Sequence, residues 1–149
     1  MLIRRSRTLA LAVGSVAGLL ALAACGSDGD GTATACSAEA AALEVPHVIP
    51  TQPASGAVVD STFTVSGCSR TFESTVQWTL NGPSGLELAR GVAMGGGVDG
   101  SAPFEFSVTA EVSGPTLAEL RVFEEDASGG EGSPSAQAVI PVLVSPSSP

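Results

Sequence analysis

Lysine and tyrosine are absent from this chain of 149 residues, and histidine and tryptophan occur once each. With no lysine, and with six arginines against fifteen acidic residues, there is no basic patch to neutralise phosphates. That argues against nucleic-acid binding and against electrostatic docking on anionic lipid. A single imidazole gives no His-His ligand pair for a metal. A long apolar run is missing too. The best uncharged stretch, Leu9 to Ala24, falls short of the ~20 residues a bilayer-spanning helix needs, and Gly14, Ser15 and Gly18 dilute it.

What the N-terminus does have is the arrangement of an export signal. Arg4, Arg5 and Arg7 precede the apolar run, and small residues close it, as a signal peptidase requires. The residues at its end, Leu22-Ala23-Ala24-Cys25, resemble the lipobox of bacterial lipoproteins. In such proteins the cysteine sulfur is diacylated and cleavage exposes its amine. Two other readings stay open: an ordinary cleavage after Ala21-Leu22-Ala23, and a retained apolar anchor. Cysteine arithmetic favours the lipobox. Three cysteines leave an odd thiol in an exported chain, and lipidation of Cys25 leaves Cys36 and Cys68 as an even pair. Their bond would close a loop of about 32 residues, worth roughly 3–4 kcal/mol by the chain-entropy model. Removing residues 1–24 takes three arginines and no acidic residue. The mature chain then carries three positive and fifteen negative charges, a net of −12. Its membrane affinity would have to come from lipid.

Residues 25–44 read as the lipidated cysteine, a glycine-rich tether and an alanine-rich lead-in that is either one helical turn or irregular. From Val45 to Val144 the pattern is that of strands. Pro46, Pro50 and Pro53 confine His47–Pro53 to an edge strand or an extended cover. Val76, Trp78 and Leu80 alternate with Thr75, Gln77 and Thr79. Phe104, Phe106, Val108, Ala110 and Val112 form the longest clean alternation. Leu120 and Val122 share one face, with Phe123 opposite. The stretch Ala136–Val144 reads as a last strand, which Pro141 suggests is an edge or a bulge. About seven short strands with regular turn signals predict an all-β, immunoglobulin-like sandwich. Residues 145–149 read as a disordered tail.

The stretch Val48–Val144 resembles the immunoglobulin-like domain of bacterial spore germination proteins. The resemblance lies in Pro53-Ala54-Ser55-Gly56-Ala57-Val58, then Val65-Ser66-Gly67, then Phe72-Glu73. It continues with Gly85, Phe104, Leu120-Arg121-Val122-Phe123-Glu124 and Pro141-Val142. It departs at Cys68, where the family usually has a small residue, and in the loop Asp126–Gly132. The resemblance implies an extracytoplasmic module without enzymatic activity or cofactor. An antibody-like disulfide is not expected, because Cys36 lies before the domain rather than on a late strand.

Candidate chemistry elsewhere is sparse. Gly95-Gly96-Gly97-Val98-Asp99-Gly100 has the letters of a phosphate-binding loop. It leads into a β alternation rather than a helix, so a flexible hairpin loop is expected. His47 has no partners spaced for a triad. Glu124, Glu125, Asp126 and Glu131 are weak calcium candidates lacking the alternating carboxylate loop. The expected function is therefore a membrane-anchored extracytoplasmic lipoprotein. Its immunoglobulin-like module would bind an envelope protein or polymer, in sporulation, germination or another envelope process. The alternative is a small-ligand or calcium-binding receptor.

Overall fold

The computed structural model describes residues 36–125 and 136–147. Among them are eight strands in two sheets. In chain order these are β1 (His47–Gln52), β2 (Val58–Asp60), β3 (Thr62–Arg70), β4 (Thr75–Asn81), β5 (Glu87–Met94), β6 (Ala102–Thr109), β7 (Thr116–Phe123) and β8 (Gln137–Ser145). One sheet has the order β1-β3-β6 and the other β2-β8-β7-β4-β5. The only parallel pair among them is β2 with β8. The fold is the expected immunoglobulin-like sandwich, with one strand more than the alternation showed.

Period-two patterning places the core. On β4, Val76, Trp78 and Leu80 are buried while their neighbours are half-exposed. On β7 the inward set is Ala118, Leu120 and Val122, and on β8 it is Ile140, Val142 and Val144. The smaller sheet meets them with Val48, Val65, Phe104 and Val108. Trp78 stacks flat on Phe106 across the sandwich, with ring centroids 5.0 Å apart. Its indole lies over Gly91 on β5, where an added Cβ would come within 2.6 Å of the ring. Trp78 is thus core, as its strand position predicts.

Three expectations need correction. Pro141 does not mark an edge, because β8 runs between β2 and β7. In an antiparallel pair, successive residues turn their polar groups to alternate sides. The Pro141 carbonyl accepts from Gly56 N–H at 2.8 Å, and Leu143 N–H donates to Ala57 O at 2.9 Å. The missing proline donor therefore points to the β2 side, just before β2 begins at Val58, and the β7 ladder loses no bond. The glycine run after β5 is not a hairpin either, since β5 and β6 belong to different sheets. Last, the chain does not leave the fold at residue 145. Ser145 closes β8, and Ser147 is hydrogen-bonded through backbone and side chain to Ser61 Oγ.

The glycine run is a packed crossover. The Thr71 N–H and hydroxyl both donate to Gly96 O, at 2.9 and 3.1 Å, and Gly96 N–H donates to Ser69 Oγ at 3.2 Å. Ser69 and Thr71 are buried, so these bonds satisfy groups that water does not reach. A Cβ at Gly96 would overlap Ser69 O and Ala102 N, both rigid backbone. Gly96→Ala is therefore expected to destabilise the domain by about 1–3 kcal/mol, the usual penalty of overpacking. Urea unfolding should show a lower midpoint at unchanged slope, and an unshifted midpoint would contradict the packing.

Candidate functional site: the tether dock and the two ends of the sandwich

The strand directions give the sandwich two ends. One gathers the lead-in before β1 with the β3–β4, β5–β6 and β7–β8 connections. The other gathers the β2–β3, β4–β5 and β6–β7 turns with the end of β8, while the β1–β2 link crosses between the sheets at mid-height, where Gly56 N–H donates to Pro141 O. The lead-in enters at the first of these, here called proximal.

Three contacts bind the lead-in there. Cys36 and Cys68 form the expected disulfide, with Cα atoms 5.3 Å apart and 32 residues between them in sequence. Cys68 lies on the outer side of β3, the middle strand of the smaller sheet, and is buried there. A single helical turn follows, α1 (Ala38–Ala41). The Ser37 hydroxyl accepts from Ala40 N–H at 3.2 Å, the usual capping bond. The Glu39 carboxyl is held below its ordinary value, first by a backbone hydrogen bond at Glu39 and then by the Ser37 hydroxyl. A depressed carboxyl pKa stabilises above its unfolded value and gives that up as pH falls, so this turn is firmest when Glu39 is ionised. Arg70 then reaches back, donating to Leu43 O at 3.2 Å and to Val98 O at 2.8 Å. Ser101 closes the dock with a 3.2 Å bond to Ala40 O.

His47 belongs to this dock. Its Nδ1 lies 2.9 Å from Val45 O, and a carbonyl only accepts, so Nδ1 carries the hydrogen. Nε2 is then without a hydrogen and lies 3.3 Å from Ser101 Oγ, whose single hydrogen serves either Nε2 or Ala40 O. A nucleophilic serine needs its histidine backed and polarised, usually by a carboxylate. Here a backbone carbonyl stands behind the ring, the ring is buried, and Ala40 O competes with the ring for the serine's one hydrogen. The pair is built as a strut between the lead-in and the start of β6.

The carboxylate candidates divide. Glu124 accepts from Phe72 N–H, and Glu125 accepts from Gln77 Nε2 at 2.6 Å. Each is thus tied to a different donor across the proximal end. Among the described residues no group of three His, Cys, Asp or Glu side chains converges as a metal site would require. Asp126 and Glu131 lie outside the described residues, as do Leu22, Ala23, Ala24 and Cys25.

The distal end carries an open groove of about 590 Å³ between the β2–β3 turn, the β6–β7 turn and the end of β8. It is lined by Ser61, Thr109, Ala110, Glu111, Val112 and Ser113, with Pro146 and Ser147. Its walls mix hydroxyls with apolar side chains and hold one carboxylate. No signal in the sequence marked this groove, because its walls come from three segments far apart in the chain.

Residues 47–131 match the model of a protein family described as the immunoglobulin-like domain of bacterial spore germination. The match starts at the first residue of β1 and stops before β8, the strand that completes the larger sheet. No curated protein matches the chain.

Proposed function

Because this chain belongs to the family of immunoglobulin-like domains of bacterial spore germination, we propose that it is a lipid-anchored envelope protein whose sandwich binds another envelope component. One observation carries the reading most directly. The lead-in from the lipobox side is pinned to the proximal end by the Cys36–Cys68 bond and by Arg70 and Ser101. A tether fixed there leaves the distal turns and groove as the part farthest from the attachment point. The segment 26–35 would reach at most ~35 Å when extended, so the domain would work close to the membrane surface.

An anchor at Cys25 also reconciles strong acidity with membrane residence. Two acyl chains hold a protein durably, at ~0.8 kcal/mol per buried methylene, where one chain holds it marginally. Wild-type chain is expected in the detergent phase after detergent partition, and Cys25→Ala is expected to lose that partition. A second variant is decisive. Residues 26–149 exported behind an ordinary cleavable signal should be soluble. If either variant partitions like wild type, the anchor is not Cys25.

A further inference from the structure

The outer face of the five-stranded sheet carries an apolar row that the fold itself leaves uncovered. Val58 on β2, Leu143 on β8 and Leu117 on β7 are direct cross-strand neighbours. All three point outward, since Val59, Val142, Val144 and Ala118 beside them point into the core. Val58 is 69% exposed and Leu117 66%. Pro141 and Val139 continue the row along β8, both exposed.

Single exposed aliphatics are ordinary, whereas a contiguous set marks an interaction site. The same sheet supplies the contrast. The outward positions of β4 are Thr75, Gln77, Thr79 and Asn81, the polar pattern expected of a sheet face turned to water. The row is therefore a departure from the rule that β4 obeys, and β4 separates it from the exposed Val92 and Met94 of β5 on the same face.

Charge selects the partner. Asp60 lies on the same face two residues after Val58, and Glu119 pairs with Pro141 between Leu117 and Arg121. Arg121 is turned toward the other end of the sheet, bonded to Gln137 and placed over the Phe123 ring. Carboxylates thus flank the Val58–Leu143–Leu117 end of the row, while Arg121 stands opposite Val139 at its other end. A second copy would bring the same carboxylates together, and juxtaposed like charges are costly at an interface. We propose that the Val58–Leu143–Leu117 row is the docking surface for a lysine- or arginine-rich protein segment carrying exposed aliphatic side chains. This rests on reading the chain as an envelope-binding module and adds the surface and the chemistry of the partner.

The test uses the full chain in isolated membranes of its own cells, with a photo-activatable side chain at Leu117 or, for comparison, at Ile49 on the outer face of the smaller sheet. Leu117 is expected to give an adduct whose linked peptide, read by mass spectrometry, joins basic and aliphatic residues. That adduct should fall at least about tenfold in Asp60→Lys/Glu119→Lys and on raising the salt, as rim charges require. Leu117→Ser should also abolish capture when the photo-active group is moved to Val139, with the melting temperature unchanged. A self-adduct, a linked peptide without basic residues, or capture indifferent to the rim charges would overturn the proposal. Capture from Ile49 and not from Leu117 would overturn this surface and leave the binding-module reading standing. Capture from neither position would overturn both.

Discussion

Replacing Cys36 and Cys68 together with alanine is expected to lower the melting temperature by roughly 12–30 °C, from about 3–4 kcal/mol of lost stability. The bond closes a 32-residue separation, and removing it returns that loop's entropy to the unfolded chain. The folded state suffers as well, because Cys68 is buried under the lead-in and α1 is too short to hold itself. Arg70 and Ser101 would then have to hold the lead-in alone. A melt with and without reductant checks the origin of the loss. The wild-type chain should fall toward the variant when reduced, and the variant should not respond. A reduced wild type that melts as before would contradict the account of the dock.

Phe104→Ala is expected to cost about 3–5 kcal/mol, the range for emptying a buried aromatic site. Phe104 is 1% exposed and stacks on Phe106, with centroids 5.9 Å apart, and Phe106 in turn stacks on Trp78 of the other sheet. The ring also occupies the space left by Gly67, its partner on β3, where an added Cβ would meet Phe104 Cζ at 2.6 Å. Losing it opens a void that neither sheet can close without moving. Against a typical total of about 5–15 kcal/mol, that change leaves the domain marginal. Urea unfolding should show a strongly reduced midpoint with the slope unchanged. A loss under about 1 kcal/mol would mean that the site collapses freely, contrary to the close packing of native cores.

The second expectation rests on a residue that alternation already placed. The Phe104–Val108 run and the Val76-Trp78-Leu80 run were legible because each inward position is apolar and each outward one is not. β2 was not legible as a strand, since three residues are too few to show a period. Pro141 misled for a different reason. A proline forbids only its own donor, and whether that donor is needed depends on a neighbour far away in sequence. The crossover at Gly96 was likewise hidden, because nothing local tells a turn between paired strands from a passage between sheets.

The dock and the apolar row show the same divide. Cysteine counting found the Cys36–Cys68 pair, while Arg70, Ser101 and His47 bind through backbone carbonyls that leave no mark in side-chain patterns. Leu117, Leu143 and Val58 read individually as ordinary strand residues. Only the register of β2, β8 and β7 sets them side by side. The lipobox is the reverse case, a local motif fully visible in sequence and lying outside the described residues.

The central claim is that Cys25 carries the lipid that holds this immunoglobulin-like module at the membrane. The most direct measurement is the mass of the N-terminal peptide from chain extracted out of membranes. The expected peptide begins at Cys25 and carries two acyl chains on its sulfur. A peptide that retains residues 1–24, or one that begins elsewhere with Cys25 unmodified, would contradict it.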